Sequence, residues 1–188
     1  DGVIFDLEDS VAPDMKDEAR NNLVAVFKDF PLEGREAIIR INSAATTAGQ
    51  NDIKAALICQ PDAILLPKVE QPSDIHDVAD LLAESDAPDS LKIWAMIETP
   101  KGVLNAAAIA EACHTTGARL GGFIIGLNDL RKETRVPDQP GRTYLVPWLM
   151  QVILAARTYG LEIIDSVSND FRDLDAFAQE CEQGRAMG

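Results

Sequence analysis

Six short apolar runs in this chain of 188 residues each end in polar, mostly charged side chains. These ends read Asp6-Leu7-Glu8-Asp9-Ser10, Arg40-Ile41-Asn42, Pro67-Lys68-Val69-Glu70, Glu98-Thr99-Pro100, Gly126-Leu127-Asn128-Asp129 and Asp165-Ser166. Chance would place charged groups after two or three such runs, but not readily after all six. If the runs are strands of one barrel, their carboxyl ends meet on one side of it. The sequence therefore predicts a shared acidic mouth, the name used below for that cluster of strand ends.

The spacing of these residues favours metal-dependent chemistry. Side chains two apart on a strand point to the same side, so Asp6 and Glu8 lie together, as do Arg40 and Asn42. Clustered carboxylates raise one another's pKa unless a cation lies between them. A divalent metal ion would neutralise them and leave positions for a substrate that chelates through a carboxylate and a neighbouring carbonyl. Only two histidines are present, which excludes a three-histidine zinc site and points to oxygen ligands for Mg²⁺ or Mn²⁺.

The elements that must position these residues alternate regularly along the chain. Near-continuous apolar runs predict strands buried on both faces, at residues 3–7, 37–41, 63–69, 93–97, 122–127 and 162–167. Helical periodicity predicts helices at residues 14–30, 51–59, 73–84 with Ser73 as N-cap, 103–113, 145–159 and 174–185. Residues 131–143 contain two prolines and a glycine and predict a long loop, a candidate lid.

Six strand–helix units indicate a parallel α/β fold. A complete (β/α)₈ TIM barrel of about 250 residues uses about 31 residues per unit, so this length corresponds to about six units. We therefore expect residues 1–188 to form a single TIM-barrel domain that is incomplete at both ends. A doubly wound open sheet is the alternative, but no glycine-rich turn follows the first strand to mark a nucleotide site.

Composition excludes several classes of function. Seventeen Lys and Arg residues against 31 Asp and Glu residues give a formal net charge of −14. Nucleic-acid binding and attachment to an anionic membrane both need a basic face, and the sequence has no Lys/Arg cluster to supply one. The three cysteines are scattered, without a CxxC pair, so we expect a reducing, cytoplasmic location.

Several segments together resemble the HpcH/HpaI aldolase and citrate lyase β-subunit-like family. They are DGVIFDLEDSVAPDMKDEAR, IIRIN, DAILLPKVE, WAMIETPKGVLNAAAIA, FIIGLNDL and GLEIIDSVSNDFRD, and they span nearly the whole chain. Any one of them is a weak signal, but the ordered set is specific. The resemblance implies a Mg²⁺-dependent (β/α)₈ lyase. Measured against that family, the chain lacks the first strand–helix unit and the last strand.

The resemblance also implies a role for each residue of the mouth. Glu98 and Asp129 match the metal ligands, and Arg40 matches the residue that binds the 2-oxo acid and stabilises the enolate oxygen. Asp6, Glu8 and Asp9 match the acidic catalytic motif. The predicted substrate-binding residues are Arg40, Asn42, Lys68, Gly126, Asn128 and, as a contact to the thioester arm, Arg142.

Some of these residues also have purely structural interpretations. Asp9 and Asp129 could cap the helices that follow their strands. Glu98 is harder to explain in this way, because a carboxylate at the end of a buried strand needs a partner.

The two basic residues of the mouth have structural alternatives as well. Arg40 could be an ion-pair partner of Asp6 or Glu8 at the barrel rim. Lys68 could pair with Glu70 or with a mouth carboxylate without touching a substrate.

The leading functional hypothesis is a Mg²⁺-dependent carbon–carbon lyase that cleaves a 3-hydroxyacyl thioester, such as malyl-, citramalyl- or citryl-CoA, into an acyl-CoA and a 2-oxo acid. Hydrolysis of the same thioester is the second hypothesis. An inactive, fragmentary barrel is the third. The resemblance further implies small-molecule acyl-CoA partners and a homotrimer or homohexamer.

Overall fold

The strands form one parallel sheet in which each strand pairs with its neighbours in the sequence. The computed structural model describes residues 2–30, 32, 34–115, 117–170 and 172–188. The strands are β1 (Gly2–Asp6), β2 (Glu36–Arg40), β3 (Ala63–Leu66), β4 (Lys92–Ile97), β5 (Leu120–Ile125) and β6 (Glu162–Ile164), in the sheet order β1-β2-β3-β4-β5-β6. This order curls the sheet into an open barrel, and it confirms the prediction of a truncated TIM barrel of about six units.

Eight helices connect and flank the strands in the described part of the chain. They are α1 (Lys16–Asp29), α2 (Thr47–Cys59), α3 (Pro72–Glu84), α4 (Pro100–Leu104), α5 (Ala106–Glu111), α6 (Leu127–Thr134), α7 (Val146–Thr158) and α8 (Leu174–Met187). Short 3₁₀ turns lie at Pro13–Met15, Ala112–His114 and Pro140–Arg142. Helices follow strands throughout, so the carboxyl end of each strand leads directly into a loop that can carry chemistry.

Three predictions made from the sequence differ from the structure. The loop predicted at residues 131–143 begins inside α6, a mostly polar helix whose buried residues are Leu127 and Leu130. Ser73 is not the N-cap of α3: the helix already begins at Pro72, since proline suits the first helical position. The helix predicted at 103–113 is broken at Asn105, whose side-chain amide donates to the Glu70 carbonyl oxygen at 2.8 Å.

Buried side chains on both faces of the sheet explain why the strands read as continuous apolar runs. The larger core packs the outer face against the helices and includes Ile39, Ile64 and Phe123. A smaller core fills the barrel interior and consists of Ile38, Ala63, Leu65, Trp94 and Ile124, with Met96 packed against it. The inner core forms an apolar floor below the carboxyl ends of the strands.

The sheet is open at β1 and β6. In the described residues β1 pairs with β2 and β6 pairs with β5, and neither has a second neighbour. The inward-facing Ile4 and Ile164 are each 43% exposed, whereas Ile38 and Ile124 in the middle strands are buried. Separately, none of the described helices is long and apolar enough to cross a membrane.

Helix α7 provides a direct test of the outer core. Leu149 is 3% exposed and Leu154 is 69% exposed, although both lie in this one helix. We expect Leu149→Ala to lower the free energy of unfolding by about 2–5 kcal/mol, because it removes buried methyl groups and leaves a cavity. The matched control Leu154→Ala should change it by no more than about 0.5 kcal/mol. Urea denaturation measures both, and equal losses would contradict this packing.

Candidate active site at the carboxyl ends of the strands

An ion pair between Asp6 and Arg40 lies at the centre of the mouth. The two residues are direct register partners on β1 and β2. Arg40 Nε donates to Asp6 Oδ1 at 2.7 Å and Nη2 donates to Oδ2 at 2.5 Å, so the guanidinium and the carboxylate meet edge to edge. Below the pair, Met96 Sδ lies 3.8 Å from Arg40 Nη1, where the apolar floor begins. The pairing of two strands is thus enough to place this contact.

The environment of Asp6 keeps its carboxyl group ionised. Burial alone would raise its pKa, but hydrogen bonds from Arg40, from the Ser10 hydroxyl and from the Glu8 backbone N–H outweigh burial and lower the pKa to about 2. The Glu8 and Ser10 backbone amides donate at 2.9 and 3.1 Å. Asp6 therefore serves as a fixed negative charge that orients Arg40 and the loop after β1.

Glu8 bridges the two basic residues of the mouth. Its Oε2 lies 3.1 Å from Arg40 Nη1, and its Oε1 accepts a hydrogen bond from Lys68 Nζ at 2.8 Å. The Oε2 contact is an ion pair without hydrogen-bond geometry, so this buried oxygen has no hydrogen-bond partner among the described residues. Lys68 Nζ also lies 3.7 Å from Asp129 Oδ2. Burial alone would lower the Lys68 pKa, but the Glu8 hydrogen bond and the neighbouring negative charges raise it, so the ammonium stays protonated.

Glu98 is the most buried carboxylate of the mouth, with 3% of its surface exposed. Its Oε1 accepts a hydrogen bond from the Lys68 backbone N–H at 2.9 Å, and Lys68 has the left-handed φ of 50°. Burial raises the Glu98 pKa to about 7; the Lys68 amide and charge oppose this, and the charges of Asp129 and Glu8 add to it. Glu98 is thus a buried carboxylate whose contacts in the described residues do not offset the cost of removing its charge from water.

Gly126 provides the space that the Glu98 side chain occupies. A Cβ atom at position 126 would lie 2.5 Å from Glu98 Cβ and 2.6 Å from Glu98 Oε2. Gly126 is the N-cap of α6 without a side-chain cap, and Asp129 lies in the first turn of that helix, where the helix dipole favours a negative charge. The capping interpretation of Asp129 is therefore not what the structure shows, since its position is inside the helix.

The donor set fits a hard divalent cation. Among the described residues, no three His, Cys, Asp or Glu side chains converge closely enough to form a complete protein cage. Mg²⁺ does not need one, because it keeps several water molecules and binds through one or two carboxylates plus the substrate. Burial, with the charges of Asp129 and Glu8 adding to it, raises the pKa of Glu98, and a cation bound beside this carboxylate would favour its ionised form.

Three of the residues predicted for the site do not contact the ion pair between Asp6 and Arg40. Both hydrogens of the Asn42 side-chain amide are used, by Leu7 O at 2.9 Å and Asp52 Oδ2 at 2.6 Å. Asn128 exchanges amide hydrogen bonds with the side chain of Asn169. Asp9 is exposed at the rim.

Arg142 is buried in a separate cluster near the end of β6. Its Nη1 donates to both carboxylate oxygens of Asp165 at 2.8 Å, and its Nε donates to Gln183 at 2.8 Å. These bonds join the 140–142 turn to β6 and α8. A contact between Arg142 and a thioester arm stays a prediction, and it would have to compete with this bidentate pair.

The residues that sequence reasoning missed are those that support the mouth from behind. Lys16 Nζ donates to the carbonyl oxygens of Leu7 and Glu8 at 2.7 and 2.6 Å. Asp52 is fully buried in α2 and accepts a hydrogen bond from Arg20 Nη1 at 2.6 Å. A signal for Asp52 was present: it lies three and four residues before Ala55 and Ala56, on the apolar face of its helix.

Comparison with known proteins shows the family of the chain. The sequence matches the family model of HpcH/HpaI aldolase/citrate lyase over residues 1–188. The chain belongs to this family. It is 44% identical over 188 residues to a (3S)-malyl-CoA thioesterase of Cereibacter sphaeroides. The matched region covers all of this chain and 62% of the relative. It is 31% identical over 193 residues to citrate lyase subunit beta of Escherichia coli K12, covering all of this chain and 63% of the relative.

A solved structure gives the corresponding fold. The citrate lyase beta subunit from M. tuberculosis, complexed with oxaloacetate and magnesium, superposes with a TM-score of 0.81 at 27% identity, over 100% of this chain and 78% of that one. Members of this HpcH/HpaI family thus share the barrel described here. The chain spans about three fifths of the length of the curated relatives, at 62% and 63%.

The Asp6 contacts predict how stability changes with pH. Because the folded-state pKa of about 2 lies below the ordinary value of 3.8, Asp6 stabilises the fold above pH 3.8 and loses this contribution as the pH falls towards 2. We expect Asp6→Asn to cost about 1–2 kcal/mol at pH 7, allowing for screening by water, and progressively less between pH 4 and pH 2.

Urea denaturation across that pH range measures the difference between the Asp6→Asn variant and the wild type. Asp9→Asn is the matched control, since Asp9 belongs to the same motif but is exposed, and it should change stability by less than about 0.5 kcal/mol. A pH-independent cost of Asp6→Asn would show that ionisation of Asp6 contributes nothing.

Proposed function

We propose that this chain carries the catalytic mouth of a Mg²⁺-dependent carbon–carbon lyase. The substrate would be a 3-hydroxyacyl thioester such as malyl-, citramalyl- or citryl-CoA, cleaved into an acyl-CoA and a 2-oxo acid. The observation that supports this most is the convergence of Arg40 with the buried Glu98 and with Asp129 on one end of the barrel. Chemistry of this kind needs a fixed cation and hard oxygen ligands side by side.

Arg40 is suited to bind a developing oxyanion. Asp6 holds its Nε and Nη2, which leaves Nη1 directed towards Glu8 and the interior of the mouth. Breaking the bond next to the thioester carbonyl leaves negative charge on an oxygen, and a guanidinium that is already oriented stabilises that charge without reorganisation. Because Glu8 Oε2 lacks a hydrogen-bond geometry with Nη1, a substrate oxygen can take that donor at small cost.

Glu98 and Asp129 are the residues that would hold the metal ion. Bound there, Mg²⁺ would polarise a carbonyl group and orient a 2-oxo acid. The magnesium and oxaloacetate in the M. tuberculosis citrate lyase beta subunit support this assignment by analogy. Mn²⁺, which takes the same oxygen ligands, is included in the proposal. The Lys68 ammonium between Glu8 and Asp129 supplies the rest of the positive charge.

Asn42, Gly126 and Asn128 remain proposals as substrate-binding residues. Gly126 is the best supported, because the space beside Glu98 depends on its missing side chain. Asn42 would act through its remaining amide oxygen, since its hydrogens are engaged. Asp9 and Arg142 keep the roles that the resemblance gives them, at the rim and at the thioester arm.

Several properties of the whole protein belong to the same proposal. We infer that residues 1–188 form a single barrel domain that the longer relatives extend, and that the protein is cytoplasmic and assembles as a homotrimer or homohexamer. The supports are the open edges at β1 and β6 and the family resemblance.

Hydrolysis of the thioester is the second candidate function. The specific observation in its favour is the 44% identity to a (3S)-malyl-CoA thioesterase, against 31% to citrate lyase subunit beta. Both reactions would use the same metal ligands and the same Arg40, so the mouth alone does not choose between them. The products do, since only cleavage of the carbon–carbon bond leaves the thioester intact.

The first test identifies those products. The protein is incubated with malyl-CoA, citramalyl-CoA or citryl-CoA, with Mg²⁺ or with chelator, and acyl-CoA products are measured by mass spectrometry. We expect chelator-sensitive formation of acetyl-CoA together with a 2-oxo acid. Chelator-sensitive free CoA with intact hydroxy acid would establish the thioesterase instead. Unchanged substrates in every reaction would favour an inactive barrel.

The second test examines Glu98 as a ligand of the metal ion. We expect Glu98→Gln to weaken Mg²⁺ binding by at least about 10–100-fold and to lower kcat/KM by at least about 100-fold, because the amide carries no negative charge. Isothermal titration calorimetry with Mg²⁺ and steady-state kinetics measure the two effects. The control is Glu70→Gln, whose carboxylate pairs with Lys101 at 3.1 Å outside the ion-pair cluster. Equal behaviour of the two variants would remove Glu98 from the metal site.

A further inference from the structure

A buried carboxylate in α2 supports the segments that follow β1 and β2 at the mouth. Asp52 is fully buried and lies outside the proposed catalytic set. Its Oδ1 accepts a hydrogen bond from Arg20 Nη1 at 2.6 Å. Its Oδ2 accepts two, from the Asn42 backbone N–H at 2.8 Å and from Asn42 Nδ2 at 2.6 Å. A carboxylate that is removed from water and fully hydrogen-bonded in this way fixes the groups that it touches.

Through Asn42, the contacts of Asp52 reach the segments that follow β1 and β2. Asn42 lies two residues after Arg40, so its anchoring fixes the end of β2 from which Arg40 projects. The same Asn42 amide donates to Leu7 O at 2.9 Å, which ties the segment after β1 to the segment after β2. Leu7 is the residue between Asp6 and Glu8. Through Asn42, the Asp52 carboxylate thus restrains the backbone next to Asp6, Glu8 and Arg40.

A second and independent feature holds the same segment in place. At Gly49, in the first turn of α2, a Cβ atom would lie 2.1 Å from Ser43 O and 2.6 Å from Asn42 O. The start of α2 therefore packs directly against the 42–43 backbone, at a distance that only glycine allows. The close backbone contact at Gly49 and the hydrogen bonds to Asp52, both from α2, leave this loop little freedom.

We propose that Asp52 is a positioning residue of the mouth: through Asn42 it sets the distance and orientation at which Arg40 meets Asp6 and Glu8. Asp52 touches neither substrate nor metal. The inference rests on the proposed function for its kinetic consequence, whereas its structural consequence, the placement of Arg40, stands independently of what the substrate is.

The substitution Asp52→Asn tests this with little change of shape. Asparagine keeps one acceptor oxygen, so either Arg20 or Asn42 would face an NH₂ group instead of an acceptor. The segment after β2 then loses part of its restraint, while the close contact at Gly49 remains. We expect kcat to fall by about 10–100-fold with KM changed by less than about threefold, because misplacement of about 1 Å in an oxyanion-binding group acts on the transition state.

The control is Asp62→Asn. Asp62 accepts a hydrogen bond from the Ala37 backbone N–H at 2.8 Å, at the opposite end of the same strand β2. It probes loss of a carboxylate-to-backbone bond on β2 without any contact to the mouth. Thermal unfolding of both variants shows how much of any effect is stability alone.

The structural measurement is the ¹⁵N NMR signal of Arg40 Nε–H in arginine-labelled protein, assigned with Arg40→Lys. This group donates to Asp6 at 2.7 Å, so its shift and exchange rate report the ion pair directly. We expect the signal to shift or broaden in Asp52→Asn and to stay unchanged in Asp62→Asn. Should Asp52→Asn not fold, Asn42→Ala removes the side-chain bonds to Asp52 and Leu7 while keeping the backbone N–H bond to Asp52 and the Arg20–Asp52 pair, and a change in the same direction is expected.

The outcomes separate the two proposals. An unchanged Arg40 signal and unchanged kcat in Asp52→Asn would overturn the positioning role, even if stability falls. If the wild type cleaves none of the three CoA thioesters in the presence of Mg²⁺, the proposed function fails, and the Arg40 signal alone then decides whether Asp52 positions the mouth.

Discussion

The ion pair between Asp6 and Arg40 is the contact around which the mouth is arranged. It requires only that β1 and β2 pair in parallel, because the two residues are register partners. It lies at the level where the apolar interior ends, so water screens it less than a surface pair. Once Arg40 is fixed, Glu8 can reach its third nitrogen and also accept from Lys68, and Lys68 in turn brings its backbone N–H to Glu98. Each charged group is therefore placed by its neighbour.

Close backbone packing supplies the space that this arrangement needs. Three glycines behind the mouth have no room for a Cβ atom: Gly49 against Ser43 O at 2.1 Å, Gly102 against Val69 O at 2.5 Å, and Gly126 against Glu98 Cβ at 2.5 Å. Each lies at the start of a helix that follows a strand. The helices therefore pack closely against strand ends: α2 against the segment that leads into it, and α4 and α6 against residues that follow the preceding strand in the sheet.

The sequence predicted the barrel well because strands buried on both faces have continuous apolar runs and polar residues at their ends. It also predicted that Asp6 and Glu8 lie together, and both contact Arg40, but the expectation that Asn42 lies beside Arg40 was wrong, since the Asn42 amide bonds to Asp52 and Leu7 O. It did not predict their partners, because period-two reasoning gives a direction and not a distance. Asn42 illustrates this: its link to Asp52 joins a strand end to a helix face, and nothing in either local pattern reveals it. Likewise α6 is mostly polar, and the loop predicted at residues 131–143 includes its last four residues, which are helical.

The ion pairs of Arg40 also determine the net charge of the mouth. Counted as ionised groups, the mouth holds the two cations Arg40 and Lys68 against the four carboxylates Asp6, Glu8, Glu98 and Asp129, an excess of two negative charges. The proposed thioester substrates carry a carboxylate, as does the 2-oxo acid formed from them, and these anions would be repelled by that excess. A divalent cation would cancel it, after which Arg40 and the cation could both attract the substrate carboxylate. The charged residues that form these ion pairs thus leave the mouth negatively charged. We therefore expect a cation to bind before the substrate.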